Sequence, residues 1–444
     1  MNRRHFLGAL AGPALAQPEV RPPNVLLILF DKCRTDAIGC YGERKIATPH
    51  IDALATEGVR FANAYTVQAL CGPARASILT GKYPHAHGLR RNVYPTPRYR
   101  FNTNYDDPIP DPFRDPRFEI WDNFPFLLNN AGYATGCVGK WHLGPGNPGF
   151  FDDFKGFNSV LRHWVGEPHR SRYRPDVHTD DALRFIDQNA ARPWFLYQSY
   201  YAPHEPLDPP QEWLARYAGQ ENADYWATVA HLDHCVGRMV EALRHRGILD
   251  DTLVIVTTDH GRTFIDRPGS AEGIALSYEE VARVPLIVRY PRLLPRGKVW
   301  RAGVTTADLM PTILEACNVS LAQGMAGMNA TPVIQSRSLI GELRGEDRWT
   351  RPIVMENVPQ KGIDGSYYEE RAIRTERWKM IVRKFEVRPN LRPGELYDLS
   401  ADRGETRNLW SQRPEVVKDL ASQLVRWGQE AKDTMAVELG IGAG

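Results

Sequence analysis

Four continuous apolar runs, each cut off by polar residues, constrain this chain more than any other feature. "NVLLILFD" (24–31) stops at Asp31, and "GYATGCVGKWHLG" (132–144) leads to Lys140 and His142. "PWFLYQSYYAPHEP" (193–206) leads to His204, and "DTLVIVTTDHG" (251–261) to Asp259 and His260. A strand that is apolar on both faces must be covered on both, the condition of a parallel sheet with helices on each side. Helical signals lie between the runs. "TPHIDALATEGVRFANAY" sets Pro49 at a start, apolar residues at 51, 54 and 55, and Gly58 as a stop. "DYWATVAHLDHCVGRMVEALRHRG" repeats apolar positions at helical spacing up to Gly247. This alternation predicts an α/β fold with a doubly wound, mostly parallel central sheet flanked by helices. Ligands of such sheets bind beyond the carboxyl ends of the strands, so the four terminations predict one site along one sheet edge.

Beyond about residue 345 the texture changes to short strands ("RAIRTERWKMIVRKFEV", "GELYDLSADRGETRNLW"). A helix follows, with Val416, Val417, Leu420, Leu424 and Trp427 on its apolar side. The expected organisation is a signal peptide over 1–16, a main domain over 17–345, and a small C-terminal α+β subdomain over 346–444. The opening "MNRRHFLGALAGPALAQ" joins Arg3-Arg4, a short apolar run and Ala14-Leu15-Ala16, the pattern of a twin-arginine export signal. It predicts a periplasmic or secreted protein. Loss of Arg3 and Arg4 takes the formal charge from +2 to 0, which argues against a nucleic-acid partner or a polybasic membrane surface. No other apolar run is long enough to span a bilayer. Six cysteines (33, 40, 71, 137, 235, 317) are too few and too scattered for a disulfide framework.

One cysteine has unusual neighbours. In "ALCGPARASILTGKYPHAHG" (69–88), Pro73 fits the first turn of a helix and Thr80-Gly81 its end, which places Cys71 at the helix N-terminus. Free N–H groups and the helix dipole there favour an anion, and Arg75 adds a positive charge. A thiolate phosphatase would need arginine six residues after the cysteine, and position 77 is Ser. On these residues alone a buried structural cysteine stays open. The same holds for the others: strand-ending Asp31 and Asp259 could cap helices, Lys140 could be solvated, and each histidine could serve packing.

The motifs taken together resemble the sulfatase family. CxPxR stands here as Cys71, Pro73 and Arg75, followed by "LTGKYPHAHG". In the family's order come "PNVLLILFD", "CYG", "GKWHLG", "APHEP", "TTDHG", "YEEVARVPLIV", "RTERWKMIV" and "ELYDLSADRGETRNL", so the resemblance runs over nearly the whole mature chain. It implies that Cys71 is oxidised by a formylglycine-generating maturation enzyme to an aldehyde. Hydrated, that aldehyde attacks sulfur through one oxygen and expels sulfate through the other. The resemblance further implies that Arg75 holds the hydrated aldehyde, that Lys140 binds sulfate oxygens, and that His142 assists release. His204 is implied to contact the bridging oxygen and protonate the leaving alcohol. Asp31, Asp259, His260 and the modified Cys71 are the implied ligands of a divalent metal, Ca²⁺ in most relatives, with Mg²⁺, Mn²⁺ or Zn²⁺ compatible with a histidine ligand.

Two positions depart from the family pattern. The residue after the first aspartate usually ligates the metal, and here it is Lys32, whose ammonium cannot. A second sulfate-binding lysine usually precedes "YEE", and here Ile274 stands near its place with no lysine between 262 and 297. Lys32 is therefore expected either to reach into the sulfate pocket as a substrate-binding replacement or to point away and pair with a carboxylate. Arg262 or Arg267 could instead supply the second cation. The implied substrate is a sulfate ester on a carbohydrate. Arginines in two long loops (Arg98, Arg100, Arg162, Arg170, Arg172, Arg174) are candidates to bind further anionic groups or to be plain surface. Rival readings are a phosphodiester or phosphonate monoester hydrolase, a sulfamate hydrolase, and a non-catalytic sulfated-glycan-binding protein.

Overall fold

A computed structural model describes residues 21–42, 46–93, 123–144, 146–158, 161–166, 171–264, 275–321, 335–357, 368–385 and 393–444. The signal-peptide expectation, Arg98, Arg100, Arg170, Arg267 and Ile274 lie outside them. The central sheet has eight strands: β1 (Asn24–Phe30), β2 (Val59–Phe61), β3 (Ala134–Lys140), β4 (Asp153–Phe157), β5 (Trp194–Ser199), β6 (Thr252–Thr258), β7 (Leu286–Arg289) and β8 (Lys298–Trp300). Their order is β8-β2-β7-β6-β1-β5-β3-β4. The four apolar runs form β1, β3, β5 and β6 in its middle, all parallel. Only β7 runs against its neighbours β6 and β2 in this sheet.

Both faces of the sheet are covered, as the apolar runs require. In β1, Val25, Leu27 and Leu29 face a cluster containing Ala76, Ile78 and Leu79 of helix α2 (Cys71–Thr80). Leu26, Ile28 and Phe30 face helices α1 (Pro49–Glu57), α3 (Arg174–Gln188) and α4 (Ala223–His245). Each of these six side chains is fully buried, a gain of about 1.5–3 kcal/mol apiece. Pro49 and Gly58 bound α1 as the sequence predicts, and Gly81, left-handed at φ 64°, ends α2.

The register aligns the strand ends. Phe30 pairs with Thr258, so Asp31 and Asp259 emerge side by side; Leu29 pairs with Ser199, and Gly139 with Ser199 on the other edge. A second sheet, antiparallel, contains β9 (Ile353–Asn357), β10 (Tyr368–Arg374), β11 (Trp378–Phe385) and β12 (Gly394–Asp398) in that order. Helix α5 (Pro414–Ala431) packs Val417, Leu420 and Leu424 against it, and α6 (Thr434–Ala443) follows. Among the described residues no helix is long and apolar enough to cross a membrane.

Candidate active site

The aligned strand ends and the start of α2 bring Asp31, Cys71, Asp259 and His260 together. All four are buried, and one ligand atom from each lies within 4.8 Å of the others. Cys71 Sγ is 3.2 Å from His260 Nε2 and 3.7 Å from Asp31 Oδ1. His260 Nδ1 is 2.8 Å from the carbonyl of Gly261. That carbonyl accepts only from a protonated Nδ1, which fixes the tautomer and leaves the Nε2 lone pair facing the cluster. Gly72 N–H donates to Asn92 Oδ1 at 2.8 Å, tethering the first turn of α2.

Arg75 has no exposed surface, and each side of its guanidinium is engaged. Nε and Nη2 donate to Asp259 Oδ2 at 3.0 and 2.8 Å, and Nη2 to Asp31 Oδ2 at 3.2 Å. Nη1 donates to the Lys140 carbonyl at 2.7 Å and to Ser199 Oγ at 2.6 Å. Lys140 Nζ lies 2.5 Å from Asp31 Oδ2 and 5.0 Å from the centre of the Tyr201 ring. Burial opposes charge on Asp31, but Lys140, His204 and Arg75 outweigh it and hold the carboxyl far below the usual range.

Helix-terminal activation of a thiolate does not describe Cys71. Burial, with Asp31 beside it, pushes the thiol up to about 12. Desolvation and a neighbouring carboxylate thus exceed what the helix N-terminus and Lys140 return. The arrangement suits a neutral thiol or its modified form, not a thiolate nucleophile.

His142 sits at φ 58° two residues after Lys140, buried. Burial and then the charges of Lys140 and Arg75 push its pKa well below the ordinary imidazole value, so it is neutral. His204 stacks on Tyr201 with ring centres 4.5 Å apart, and its Nδ1 lies 2.9 Å from the carbonyl of Glu205. Burial and Lys32 push it down to about 3. All the residues singled out from the motifs therefore meet in one place, apart from those outside the described segments.

Of the two expectations held for Lys32, the structure shows the pairing with a carboxylate. Its Nζ pairs with Glu205 Oε2 at 3.1 Å, so it does meet a carboxylate, yet that carboxylate lies beside His204 at the cleft. Arg262 pairs with the other oxygen of Glu205. Glu205 thus holds two cations at the rim, and burial, which resists its charge, is outweighed by Lys32, His204 and Arg262, leaving its pKa at about 2. Sequence reasoning missed Glu205 although "APHEP" contains it. It also missed His163, whose ring stacks on Tyr201 at 4.8 Å and whose Nε2 lies 2.8 Å from the His204 carbonyl. Ser199 and Asn92 carried no signal. Of the loop arginines, Arg172 pairs with Asp180, and Arg174 donates to the backbone of Arg162 and Trp164.

A family model described as Sulfatase matches residues 23–319, and one described as N-sulphoglucosamine sulphohydrolase, C-terminal, matches residues 275–430. An N-acetylglucosamine-6-O-sulfatase of Bacteroides thetaiotaomicron is 25% identical over 91% of this chain and 86% of its own. The Homo sapiens N-sulphoglucosamine sulphohydrolase is 28% identical over 93% of this chain and 91% of its own. The crystal structure of a phosphonate monoester hydrolase of Agrobacterium radiobacter superposes with a TM-score of 0.71 at 21% identity, over 92% of this chain and 96% of that one. That last likeness is one of fold.

Proposed function

Because this chain belongs to the sulfatase family and is a sulfuric ester hydrolase, we propose that it removes sulfate from a sulfated sugar, using residue 71 as formylglycine and a divalent metal. The observation that carries this reading is the buried convergence of Asp31, Cys71, Asp259 and His260 against Arg75 and Lys140. Two carboxylates and an imidazole with its lone pair turned inward suit a hard divalent cation, Ca²⁺, Mg²⁺ or Mn²⁺. A metal held by Asp31, Asp259, His260 and residue 71 would supply positive charge to offset that of the sulfate. Formylglycine at position 71 supplies, as its hydrate, the attacking oxygen and the means of shedding sulfate.

The chain's own side chains do the remaining work. Arg75, clamped at both ends of its guanidinium, fixes Asp31 and Asp259 relative to α2. Lys140 and Lys32 present ammonium groups from two sides, suited to sulfate oxygens. His204 is turned by its Nδ1 contact so that Nε2 is the nitrogen that moves a proton to the leaving oxygen. Without substrate, burial and then the nearby lysines keep that ring neutral; an arriving anion offsets the lysines and favours the protonated acid. His142, neutral and fixed by its left-handed backbone, is placed to accept a proton near residue 71.

Cys71 is 2% exposed in the folded protein, so a maturation enzyme must reach it before folding closes the site. Both curated relatives carry names for sulfated glucosamine derivatives, which supports a sulfated hexosamine as substrate, and the twin-arginine pattern supports a periplasmic or secreted location. The test couples mass spectrometry of the Cys71 peptide, from protein made with a maturation enzyme, to sulfate release from sulfated hexosamines, with matched phosphate esters alongside. Conversion to formylglycine, release of sulfate and loss of release on chelation are expected. Activity with an unmodified cysteine, or faster cleavage of the phosphate esters, would overturn the reading.

A further inference from the structure

A cavity of about 750 Å³ opens at the far end of α2, where Lys82 and Tyr83 follow the helix and the last turn of α5 lies beside them. The ten-residue helix that starts at Cys71 lies between the two, a rise of about 14 Å, so the cavity lies apart from the cleft described above. Its wall is cationic. Lys82, Arg337, Arg351, Arg426 and Lys432 line it, and Glu430 is the single carboxylate residue among the described lining residues.

Arg351 and His85 are held by buried carboxylates, and the more exposed Arg337 lies 3.8 Å from Glu342. Arg351 pairs with Asp308 at 2.6 Å. His85 meets Glu356 through Nδ1 and the Ala431 carbonyl through Nε2 at 2.8 Å. Gln335 Nε2 lies 3.2 Å from the same His85 nitrogen, and Glu356, against burial, raises the pKa of the ring above its ordinary value. Arg426 and Lys432 are exposed and have no ion-pair partner among the described residues. The floor is aromatic: Trp427 meets Tyr83 edge-on at 5.1 Å and His85 at 6.0 Å, over the apolar cluster of Val417, Leu420 and Leu424. Gln335 and Gln423 add amides to the lining.

Free cations suit sulfate or carboxylate groups, amides suit hydroxyls, and an indole suits the apolar face of a sugar ring. Single-stranded nucleic acid would instead want a series of open aromatic faces for successive bases, and Trp427 is the single indole among the described lining residues. We propose that this cavity is an accessory binding site for a sulfated or uronate-bearing saccharide chain. The inference rests on the sugar-sulfatase reading for its choice of ligand, and it deepens that reading: a chain held here as well as in the cleft stays with the enzyme through a raised effective concentration.

The test is a double variant, Arg426→Gln with Lys432→Asn. Both positions are exposed, and Asn tolerates the left-handed backbone of residue 432 at φ 62°, so the fold and its thermal midpoint are expected to persist. Titration of the mature protein with a heparin oligosaccharide should weaken about tenfold in the variant and lose part of its salt dependence, with kcat/KM on a monosaccharide sulfate unchanged. Equal heparin affinity in variant and parent would overturn the proposal. So would oligo-dT of matched charge binding as tightly as heparin and weakening in step, which marks an unselective basic patch. If the parent released no sulfate from any sugar yet bound heparin through Arg426 and Lys432, the accessory site would stand and the catalytic reading would fall.

Discussion

Lys32 and His142 are held at φ 61° and 58°, a region that suits glycine far better than a residue with a Cβ. Such strain persists only where the surroundings over-determine it. For Lys32 those surroundings are visible: its N–H donates to Asp259 Oδ1 at 3.3 Å and its carbonyl accepts from the Tyr225 hydroxyl at 2.9 Å, which forces the side chain toward Glu205. Lys32→Gly should therefore unfold at higher temperature than Lys32→Ala, by a difference of about 1 kcal/mol, while both lose substrate affinity equally. Equal stability of the two variants would mean the left-handed turn carries no strain. Glu205 gives a pH signature with a definite sign. Its carboxyl is held at about 2 against an ordinary 4.5, so its pairing stabilises the fold above pH 4.5 and that stability is lost as pH falls through 2. The gap in thermal midpoint between the parent and Glu205→Gln should be full at pH 6 and close toward pH 2; a gap independent of pH would contradict the clamp.

At the scale of elements, Gly139 explains how a strand end becomes a catalytic support. It sits at φ 95°, and a Cβ there would lie 1.8 Å from the Ser199 carbonyl oxygen. That close approach of β3 to β5 sets the Lys140 carbonyl and Ser199 Oγ together on Arg75 Nη1. Gly139→Ala should cost about 3 kcal/mol or more in chemical denaturation and release Arg75 from its cage. Gly132→Ala, at φ 90° but with nothing within 4 Å of the added carbon, should cost only about 1 kcal/mol. Similar losses at both would show that backbone conformation, not strand approach, is what matters at 139. The sequence made the strands and their polar endings legible because a fully buried strand must be apolar throughout and stops being so where it meets solvent or ligand. It could not reveal that β7 is antiparallel, since "LIVR" has the same apolar texture in either direction and only the path of the connection decides. Nor could it reveal the Glu205 clamp or the acceptors around Arg75, because those partners lie 44 to 184 residues away from it or from Lys32 in sequence and leave no periodic trace.

Across the whole molecule, the second sheet shares its cores with the first part of the chain. Tyr65, Leu276, Tyr278 and Ala282 pack with Ile353, Met355, Ala372 and Ile381, and Val67, Tyr83 and Ala307 pack with Val354, Ile373 and Leu396. The polar seam between the two parts centres on Lys379, which has no exposed surface. Its Nζ donates to the Ser277 carbonyl at 2.8 Å and lies 2.8 Å from Glu279 and 2.9 Å from Glu405. One ammonium serves two buried carboxylates, and burial pushes Glu405 up to about 7 even with Lys379 present. Lys379→Met would leave both carboxylates facing each other in a dry seam, a loss of about 3–5 kcal/mol at neutral pH. The two groups would then bind protons more tightly when folded than when unfolded. By linkage, the variant should be most stable below the ordinary carboxylate range near 4.5 and weaken as pH rises through the raised values, opposite in sense to the Glu205 effect. Replacing Glu279 and Glu405 by Gln in the Lys379→Met background should recover most of the loss at pH 7 and flatten the pH dependence. Thermal unfolding of the two variants between pH 4.5 and 8 measures this, and a Lys379→Met protein whose deficit does not change across that range would show that the seam is held by packing and not by the ion cluster.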